Sequence, residues 1–284
     1  MSDGNDSKKP NTNLDRAAQL LNEAEFSIAL TGAGVSVESG IPPFRGPGGL
    51  WTKYGEPPLD GYERFISDPE RAWEELLKPT EDWLVGLRQT LGRAKPNVAH
   101  FSLAKLESLG AIGALITQNV DDLHRQAGQR ELYEIHGNFK LLRCIGCSKR
   151  FSFENFPVDV KSLPPKCPSC KELIKDDTVH FGEPIPSEVL ASCERVSERA
   201  DCILVVGTSA TVYPAAGFAV EIARRGGTLI EINPEPTELT ELATIFLGGT
   251  ASAILNDLSE KILRLHRSGS VSYTHLTLPT IYSV

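Results

Sequence analysis

Four short apolar runs constrain the fold of this chain most, because each of them ends in glycine or polar residues. They lie at 26–30 (FSIAL), 114–117 (ALIT), 202–207 (CILVVG) and 228–233 (TLIEIN). Such runs are typical of strands that are buried on both faces of a parallel sheet. Helical patterns lie between and beside them, at 14–24, 100–109, 215–224 and 254–265. The alternation predicts an α/β fold with a doubly wound parallel sheet.

Two segments interrupt this alternation, and we expect them to form a second, smaller domain. Residues 46–94 contain all three tryptophans and several helix-like pieces, whereas residues 138–177 contain paired cysteines. The sheet domain is then expected to comprise residues 14–45, 95–137 and 178–265. A chain of 284 residues, 40% of them hydrophobic, is long enough for one such domain with an insertion.

The ends and the charge of the chain limit its class. We expect residues 1–13, which are polar, to be a disordered leader, and residues 268–284, which lack a regular period, to be a disordered or non-native tail. No early apolar run has the length of a signal peptide or membrane span, which predicts a cytoplasmic protein, or a nuclear one in a eukaryote, without membrane contact. The net charge of -8 argues against direct nucleic-acid binding.

Two pairs of cysteines have the spacing of a zinc site. CIGC at 144–147 and CPSC at 167–170 are separated by nineteen residues. Four thiolates around a tetrahedral zinc ion leave no position open for water, so such a site is structural. We therefore expect one zinc ion per chain, bound by Cys144, Cys147, Cys167 and Cys170. The other two cysteines, Cys193 and Cys202, are expected to pack as small apolar residues.

The residues that follow the predicted strands are candidates for a ligand site, because open parallel sheets bind ligands beyond the carboxyl ends of their strands. The groups are Gly32-Ala33-Gly34, Gln118-Asn119-Val120-Asp121, His136, Gly207-Thr208-Ser209 and Asn233-Pro234. Each group alone is weak evidence for a ligand site, since a glycine pair is often an ordinary turn, a histidine is often structural and Thr-Ser is often a helix cap. Their common placement predicts a dinucleotide site.

The glycine loop differs from that of a dehydrogenase. The third glycine of G-x-G-x-x-G is missing, and no acidic residue ends a second strand about twenty positions later. The loop continues instead into Pro42-Pro43-Phe44-Arg45. A hydride-transferring enzyme is therefore the least favoured reading.

Seven stretches, in order, resemble the sirtuins, the NAD-dependent protein lysine deacylases. They are GAGVSVESGIPPFRG, TQNVDDLHRQAG, EIHGN, the two CxxC pairs, HFGEP, VGTSATVYPAA and INPEP, and they lie between residues 14 and 265. The resemblance implies a Rossmann-type domain and a smaller domain made of a zinc ribbon and a helical module. It also implies that NAD and an acyl-lysine peptide meet in the cleft between them.

The resemblance implies a role for each matching residue. The NAD loop would be lined by Ala33, Gly34, Val37, Phe44 and Arg45. The nicotinamide and ribose pocket would be formed by Gln118, Asn119, Val120 and Asp121. The adenosine half would contact Gly207, Thr208, Ser209, Asn233, Pro234 and Ala251, and the acyl-lysine would lie near Val179, His180 and Phe181.

His136 would be the general base of the implied reaction. The acyl oxygen attacks the nicotinamide ribose and releases nicotinamide, and His136 then activates a ribose hydroxyl. Water completes the transfer, and deacylated lysine and O-acyl-ADP-ribose are the products. An imidazole with an ordinary pKa near 6.5 suits proton transfer at neutral pH. His100 and His124, within helical patterns, are expected to be structural.

Three departures affect these expectations. The family usually has an aromatic residue at the position of His180, and commonly Asp or Thr at the position of Pro43, which has no polar side chain and no backbone donor. The Tyr-x-x-Arg pair that some members use for succinyl or malonyl groups is absent between residues 51 and 96. We therefore expect removal of acetyl or another uncharged acyl group. We separately expect the protein to be a monomer.

Two further functions stay open at this stage. The same site would suit a protein ADP-ribosyltransferase. A non-catalytic module that senses NAD or binds peptides is the other alternative, and Pro43 is the one feature that favours it.

Overall fold

A computed structural model describes residues 12–46, 48–56 and 58–271 of the chain. Its main sheet has six strands: β1 (Ser27–Thr31), β2 (Ala114–Thr117), β3 (Leu132–Glu134), β7 (Cys202–Val206), β8 (Thr228–Asn233) and β9 (Ile245–Gly248). They lie in the order β3-β2-β1-β7-β8-β9, and every neighbouring pair is parallel. The predicted parallel sheet is confirmed. The edge strand β9 was not among the predicted strands.

Helices cover both faces of this sheet because successive strand residues point to opposite faces. Ala29 packs in one core with α1 (Thr12–Glu23), α6 (Val98–Ser108) and α10 (Ala251–Val271). Its neighbours Ile28 and Leu30 pack in a second core with α8 (Ser187–Arg199) and α9 (Ala215–Arg224). One further turn of helix, α7 (Leu123–Gln126), follows β2. Cys193 and Cys202 are buried in these cores, as expected, and burial raises the pKa of each thiol to about 12.

A second, three-stranded antiparallel sheet carries the paired cysteines. It consists of β4 (Leu141–Cys144), flanked by β5 (Arg150–Ser152) and β6 (Ile174–Asp176). The first interrupting segment, residues 46–94, carries the helices α2 (Leu50–Tyr54), α3 (Gly61–Ser67), α4 (Pro69–Leu77) and α5 (Asp82–Arg93).

The two interrupting segments share one core, which is distinct from the cores of the main sheet. Phe65 of α3 and Trp73 of α4 pack with Leu142 and Ile174 of the small sheet. The indole Nε1 of Trp73 also donates a hydrogen bond of 2.7 Å to the Ile174 carbonyl, so this buried ring leaves no polar atom unpaired. The helical and cysteine segments therefore pack as one unit. The exact domain bounds stay a prediction.

The predicted leader and tail overlap the described residues only at their inner ends. Residues 1–11 lie outside the described part, and α1 already begins at Thr12. Helix α10 continues through Val271, four residues into the predicted tail, because helical hydrogen bonding can propagate beyond the last buried residue. Residues 272–284 lie outside the described part. Within the part that the structure describes, no helix has the length and apolar character needed to span a bilayer.

Candidate active site

The carboxyl ends of β1, β2, β7 and β8 open into a cavity of about 1130 Å³. With one exception, all the site residues predicted outside the cysteine cluster line this cavity. They are Ala33, Gly34, Val37, Phe44, Arg45, Gln118, Asn119, Val120, His136, Val179, His180, Phe181, Gly207, Thr208, Ser209, Asn233, Pro234 and Ala251. The exception is Asp121, which lies behind the wall and is 4% exposed.

The glycine loop needs its glycines because two chain segments touch there. A Cβ atom on Gly34 would lie 2.6 Å from the Cα of Gly207, and one on Gly32 would lie 2.7 Å from the Cβ of Thr208. The Gly34 amide donates a hydrogen bond of 2.8 Å to the Gly207 carbonyl. The loop after β1 thus packs directly against the loop after β7, and both loops line the cavity.

Ser36 joins the glycine loop to the strand-end amides. Its hydroxyl donates a hydrogen bond of 2.6 Å to Asp121 and accepts one of 3.1 Å from the Asn119 amide, which also donates to the Gly32 carbonyl. Burial raises the pKa of Asp121, and the hydrogen bond from Ser36 opposes this rise. Asp121 therefore acts on the cavity through Ser36. The sequence reasoning did not select Ser36, although its place two residues after the glycine pair was a signal.

Two histidines lie behind this network. At the start of α6, the His100 Nδ1 lies 3.3 Å from the backbone nitrogen of Asn97 and 3.1 Å from its Oδ1, and the His100 Nε2 faces the Ser36 hydroxyl at 3.4 Å. The His124 Nε2 lies 2.9 Å from the hydroxyl of Thr31. Burial lowers the pKa of His100 to about 4 and that of His124 well below its ordinary value. Both rings are therefore neutral supports of the loop, in line with the structural role expected for them.

His136 lines the cavity and follows β3. Its Nδ1 lies 3.1 Å from the Gln118 carbonyl. A carbonyl only accepts, so Nδ1 carries the proton and Nε2 is left as an acceptor. Burial lowers the pKa of His136, while the bond to Gln118 opposes the shift. The ring is thus neutral and oriented near pH 7, as a general base must be.

The loop with Val179, His180 and Phe181 lines the cavity next to His136. The Val179 amide donates 2.9 Å to the His136 carbonyl, which joins this loop to the base. The His180 Nε2 lies 2.9 Å from Asp176, and its ring meets Phe65 edge-on with 6.3 Å between centroids. Asp176 and Phe65 thus hold the imidazole that replaces the usual aromatic ring.

The segment after the glycine loop is held by aromatic and polar contacts. Arg45 lies over the Trp51 ring at 4.3 Å and donates a hydrogen bond of 3.0 Å to Thr211. Phe44 is 42% exposed and lies 5.3 Å from the same ring, centroid to centroid. Pro43 contributes its carbonyl, which accepts a 2.8 Å hydrogen bond from the Leu50 amide. Because this bond requires only the backbone carbonyl, it does not depend on a backbone donor or a polar side chain at residue 43.

The adenosine end of the predicted site is fixed by Asn233 and Thr208. The Asn233 amide donates 3.0 Å to the Thr208 carbonyl, and the Gln118 amide donates 2.9 Å to the Thr208 hydroxyl. Glu231, which is fully buried in β8, accepts a further bond from Asn233 at 3.2 Å. The strand-end groups therefore support one another across three strands.

The four paired cysteines form one cluster outside the cavity. Their sulfur atoms all lie within 4.8 Å of one another, with 3.3 Å between Cys144 and Cys170 and 3.7 Å between Cys147 and Cys167. Sulfur atoms around tetrahedral zinc lie about 3.8 Å apart, given Zn–S bonds of about 2.3 Å. The cluster fits zinc. None of the four lines the cavity, which agrees with a structural role.

The sequence profile of the Sir2 family matches residues 32–214. The chain belongs to the Sir2 family. One similar Sir2 relative is an NAD-dependent protein deacylase of Thermococcus kodakarensis, 45% identical over 254 residues that cover 88% of this chain and 95% of the relative. The family resemblance drawn from the sequence motifs is confirmed.

Two solved Sir2 structures share the fold of this chain. A Sir2 homologue in complex with NAD has a TM-score of 0.74 and 41% identity, over 88% of this chain and 94% of that one. A Sir2 complex with a p53 peptide and NAD+ has a TM-score of 0.67 and 35% identity, over 90% and 98%. The predicted α/β architecture is confirmed by these neighbours.

Proposed function

We propose that this Sir2 family chain is an NAD-dependent protein lysine deacylase that transfers the acyl group to ADP-ribose and releases nicotinamide. The observation that carries the proposal is the orientation of His136. Its Nε2 is left as an acceptor in a cavity that both the glycine loop and the Val179–Phe181 loop line. The named relatives, an NAD-dependent deacylase and Sir2 complexes with NAD and a peptide, support it.

NAD is assigned to the part of the cavity around the glycine loop. The backbone of Ala33 and Gly34 lines the cavity and would contact the pyrophosphate, and the side-chain amides of Gln118 and Asn119 would contact the nicotinamide and its ribose. Thr208, Ser209 and Asn233 suit the hydroxyls of the adenosine half. When bound, NAD supplies the ribose that receives the acyl group.

His136 is assigned the removal of a proton from a ribose hydroxyl. Its Nε2 accepts the proton. The Nδ1–H stays hydrogen-bonded to the Gln118 carbonyl and stabilises the ring as it becomes charged. The low pKa keeps the ring neutral before the reaction. Phe44 and Arg45 would close over the nicotinamide ribose and exclude water.

The acyl-lysine is assigned to the wall formed by Val179 and Phe181. The preferred group is acetyl or another uncharged acyl chain, since the sequence lacks the Tyr-x-x-Arg pair that would meet a carboxylate. The zinc held by Cys144, Cys147, Cys167 and Cys170 has a structural role, because four thiolates fill its coordination sphere. We also propose that the chain acts as a monomer in the cytoplasm and binds no nucleic acid. A mass of 30.9 kDa in solution, that of one chain, would support the monomer.

One assay tests the function directly. The chain is mixed with NAD and a panel of peptides with different acyl-lysines, and mass spectrometry detects O-acyl-ADP-ribose. We expect this product with acetyl and other uncharged groups. Label from NAD left on protein without peptide deacylation would favour an ADP-ribosyltransferase, and tight NAD binding without nicotinamide release would favour a binding module.

A further inference from the structure

A cluster of charged side chains lies beneath the loop that holds Val179 and Phe181. It consists of Arg143, Arg150, Lys175, Asp177 and Glu183, from the small sheet and the loop after it. The side chains of Arg143, Lys175, Asp177 and Glu183 are at most 6% exposed. Of the five, only Glu183 borders the cavity. The function proposed above does not use any of them.

Arg143 joins the two carboxylates of this cluster. Its Nε donates 3.1 Å to Asp177 and its Nη2 donates 2.6 Å to Glu183. The donors of a guanidinium have a fixed geometry, so the two bonds also fix the distance between the carboxylates. A lysine at this position would keep the positive charge but would lack the two rigidly spaced donors that bond both carboxylates.

Glu183 holds the loop from below. Its Oε2 accepts 2.9 Å from the backbone amide of His180 and lies 3.1 Å from the Lys175 Nζ. The same Lys175 Nζ donates to the carbonyls of Asp176 and Thr178, at 2.7 and 2.5 Å. The backbone on both sides of Val179 is therefore attached to buried charges.

Asp177 holds the chain that carries the base. Its Oδ2 accepts 3.1 Å from the backbone amide of Asn138, two residues after His136. A Cβ on Gly137 would lie only 2.0 Å from the Asp177 carbonyl oxygen, so the two segments are in close contact. The hydrogen bond from the Val179 amide to the His136 carbonyl also joins these two segments.

Buried ion pairs are poor stabilisers, because the cost of removing charges from water offsets most of their attraction. A packed apolar cluster would stabilise the small sheet as well. What the charges add is a fixed geometry between Glu183 and Asp177, and hence between the substrate loop and His136.

We propose that Arg143 is a positioning residue: by bridging Asp177 and Glu183, it holds the Val179–Phe181 loop against His136 and so forms the acyl-lysine site, while the NAD site forms without it. This inference rests on the proposed function, because it assigns acyl-lysine to that loop. Arg143 precedes the zinc ligand Cys144 and pairs with Lys175 across β4 and β6. Arg143 and Lys175 thus join the metal-binding sheet to the substrate loop, and only Arg143 bonds both carboxylates.

The experiment compares Arg143→Lys and Glu183→Gln with the wild type. Arg71→Lys is the matched control, since Arg71 forms an exposed pair with Glu75 on α4. We expect the KM for acetyl-lysine peptide to rise about tenfold in both cluster variants, as for loss of one charge-assisted hydrogen bond. The Kd for NAD, measured by calorimetry without peptide, and the zinc content of one ion per chain should not change.

An unchanged peptide KM in both variants would overturn the proposal. An equal rise of peptide KM and NAD Kd, or loss of zinc, would also overturn it, since each would show a general structural role. If Arg143→Lys does not fold, Glu183→Gln, which keeps the size of the side chain, decides alone.

A spectroscopic measurement separates this inference from the proposed function. In protein with isotope-labelled histidine, NMR follows the titration of His136 whether or not the enzyme turns over. We expect Arg143→Lys to move this titration towards the ordinary value for histidine, because the ring is less enclosed. If the wild type shows no deacylase activity, the proposed function is wrong. If His136 titrates in Arg143→Lys as it does in the wild type, the positioning role of Arg143 is wrong.

Discussion

Asp121 accepts a hydrogen bond of 2.6 Å from Ser36, although Asp121 does not reach the cavity that its neighbours line. The bond fixes the segment after the glycine loop from behind. The same hydroxyl accepts from Asn119, which borders the cavity. Ser36 is thus the contact between a buried carboxylate and the predicted NAD site.

Replacing Ser36 by alanine should weaken NAD binding. The change removes the partner of the Asp121 Oδ2, while its Oδ1 keeps the Leu123 backbone amide and the Asn119 amide keeps the Gly32 carbonyl. A buried acceptor that loses its partner costs about 1–3 kcal/mol. Calorimetric titration with NAD measures the loss, and we expect a Kd at least about fivefold higher. Ser192→Ala on the exposed side of α8 is the control. An unchanged Kd would mean that Ser36 does not shape the site.

Gly34→Ala should damage both stability and NAD binding. The new Cβ would lie 2.6 Å from the Gly207 Cα, and backbone has to move to admit it. We expect the free energy of unfolding to fall by about 1–3 kcal/mol. Gly86→Ala is the matched control, because nothing lies within 4 Å of that position in α5, and it should stabilise by up to about 1 kcal/mol. Equal unfolding midpoints for the two variants would contradict the close contact.

Acid should destabilise the protein through His100 and His124. Their folded pKa values are depressed, His100 to about 4 from an ordinary 6.5, so only the unfolded chain gains a proton as pH falls between these values. The stability present above pH 6.5 is lost on the way to pH 4, and His100 alone accounts for about 3 kcal/mol.

Denaturant unfolding at several pH values measures this loss, with zinc content checked at each pH because acid also protonates thiolates. In His100→Gln the stability should fall less steeply below pH 6.5 than in the wild type. Parallel curves would show that His100 is not buried as a neutral ring.

Pro43→Asp should raise the rate of nicotinamide release. The carbonyl of residue 43 already has its partner, so the loop can keep its path while the new carboxylate supplies the polar group that the proline lacks. Stopped-flow measurement of release compares it with Pro43→Ala, which removes the ring without adding a polar group. A faster rate in both variants would assign the effect to the ring and not to the missing polar side chain.

Much of the fold was predictable because hydrophobic periodicity reports burial on two faces, as it does for β1, β7 and β8. The cavity-lining residues followed from one rule, that parallel strands deliver their carboxyl ends to one edge. Strand β9 was not predicted, since its four residues lie among glycine and threonine and half of them are partly exposed.

The charged cluster could not be predicted. Arg143, Lys175 and Glu183 are separated by up to 40 positions and resemble ordinary surface charges in the sequence. Only the pairing of β4 with β6 brings them together and buries them. The same holds for the contacts of Ser36 with His100 and with Asp121, which depend on how α6 and the segment after β2 pack against the glycine loop.

The central claim is that His136 is the general base of an acyl transfer to NAD-derived ADP-ribose. The most direct measurement is the formation of O-acetyl-ADP-ribose from NAD and an acetyl-lysine peptide by the wild type and by His136→Gln, with NAD binding confirmed in both. We expect the variant to form the product at least about 100-fold more slowly, as for loss of a general base. Equal rates in the two proteins would contradict the account.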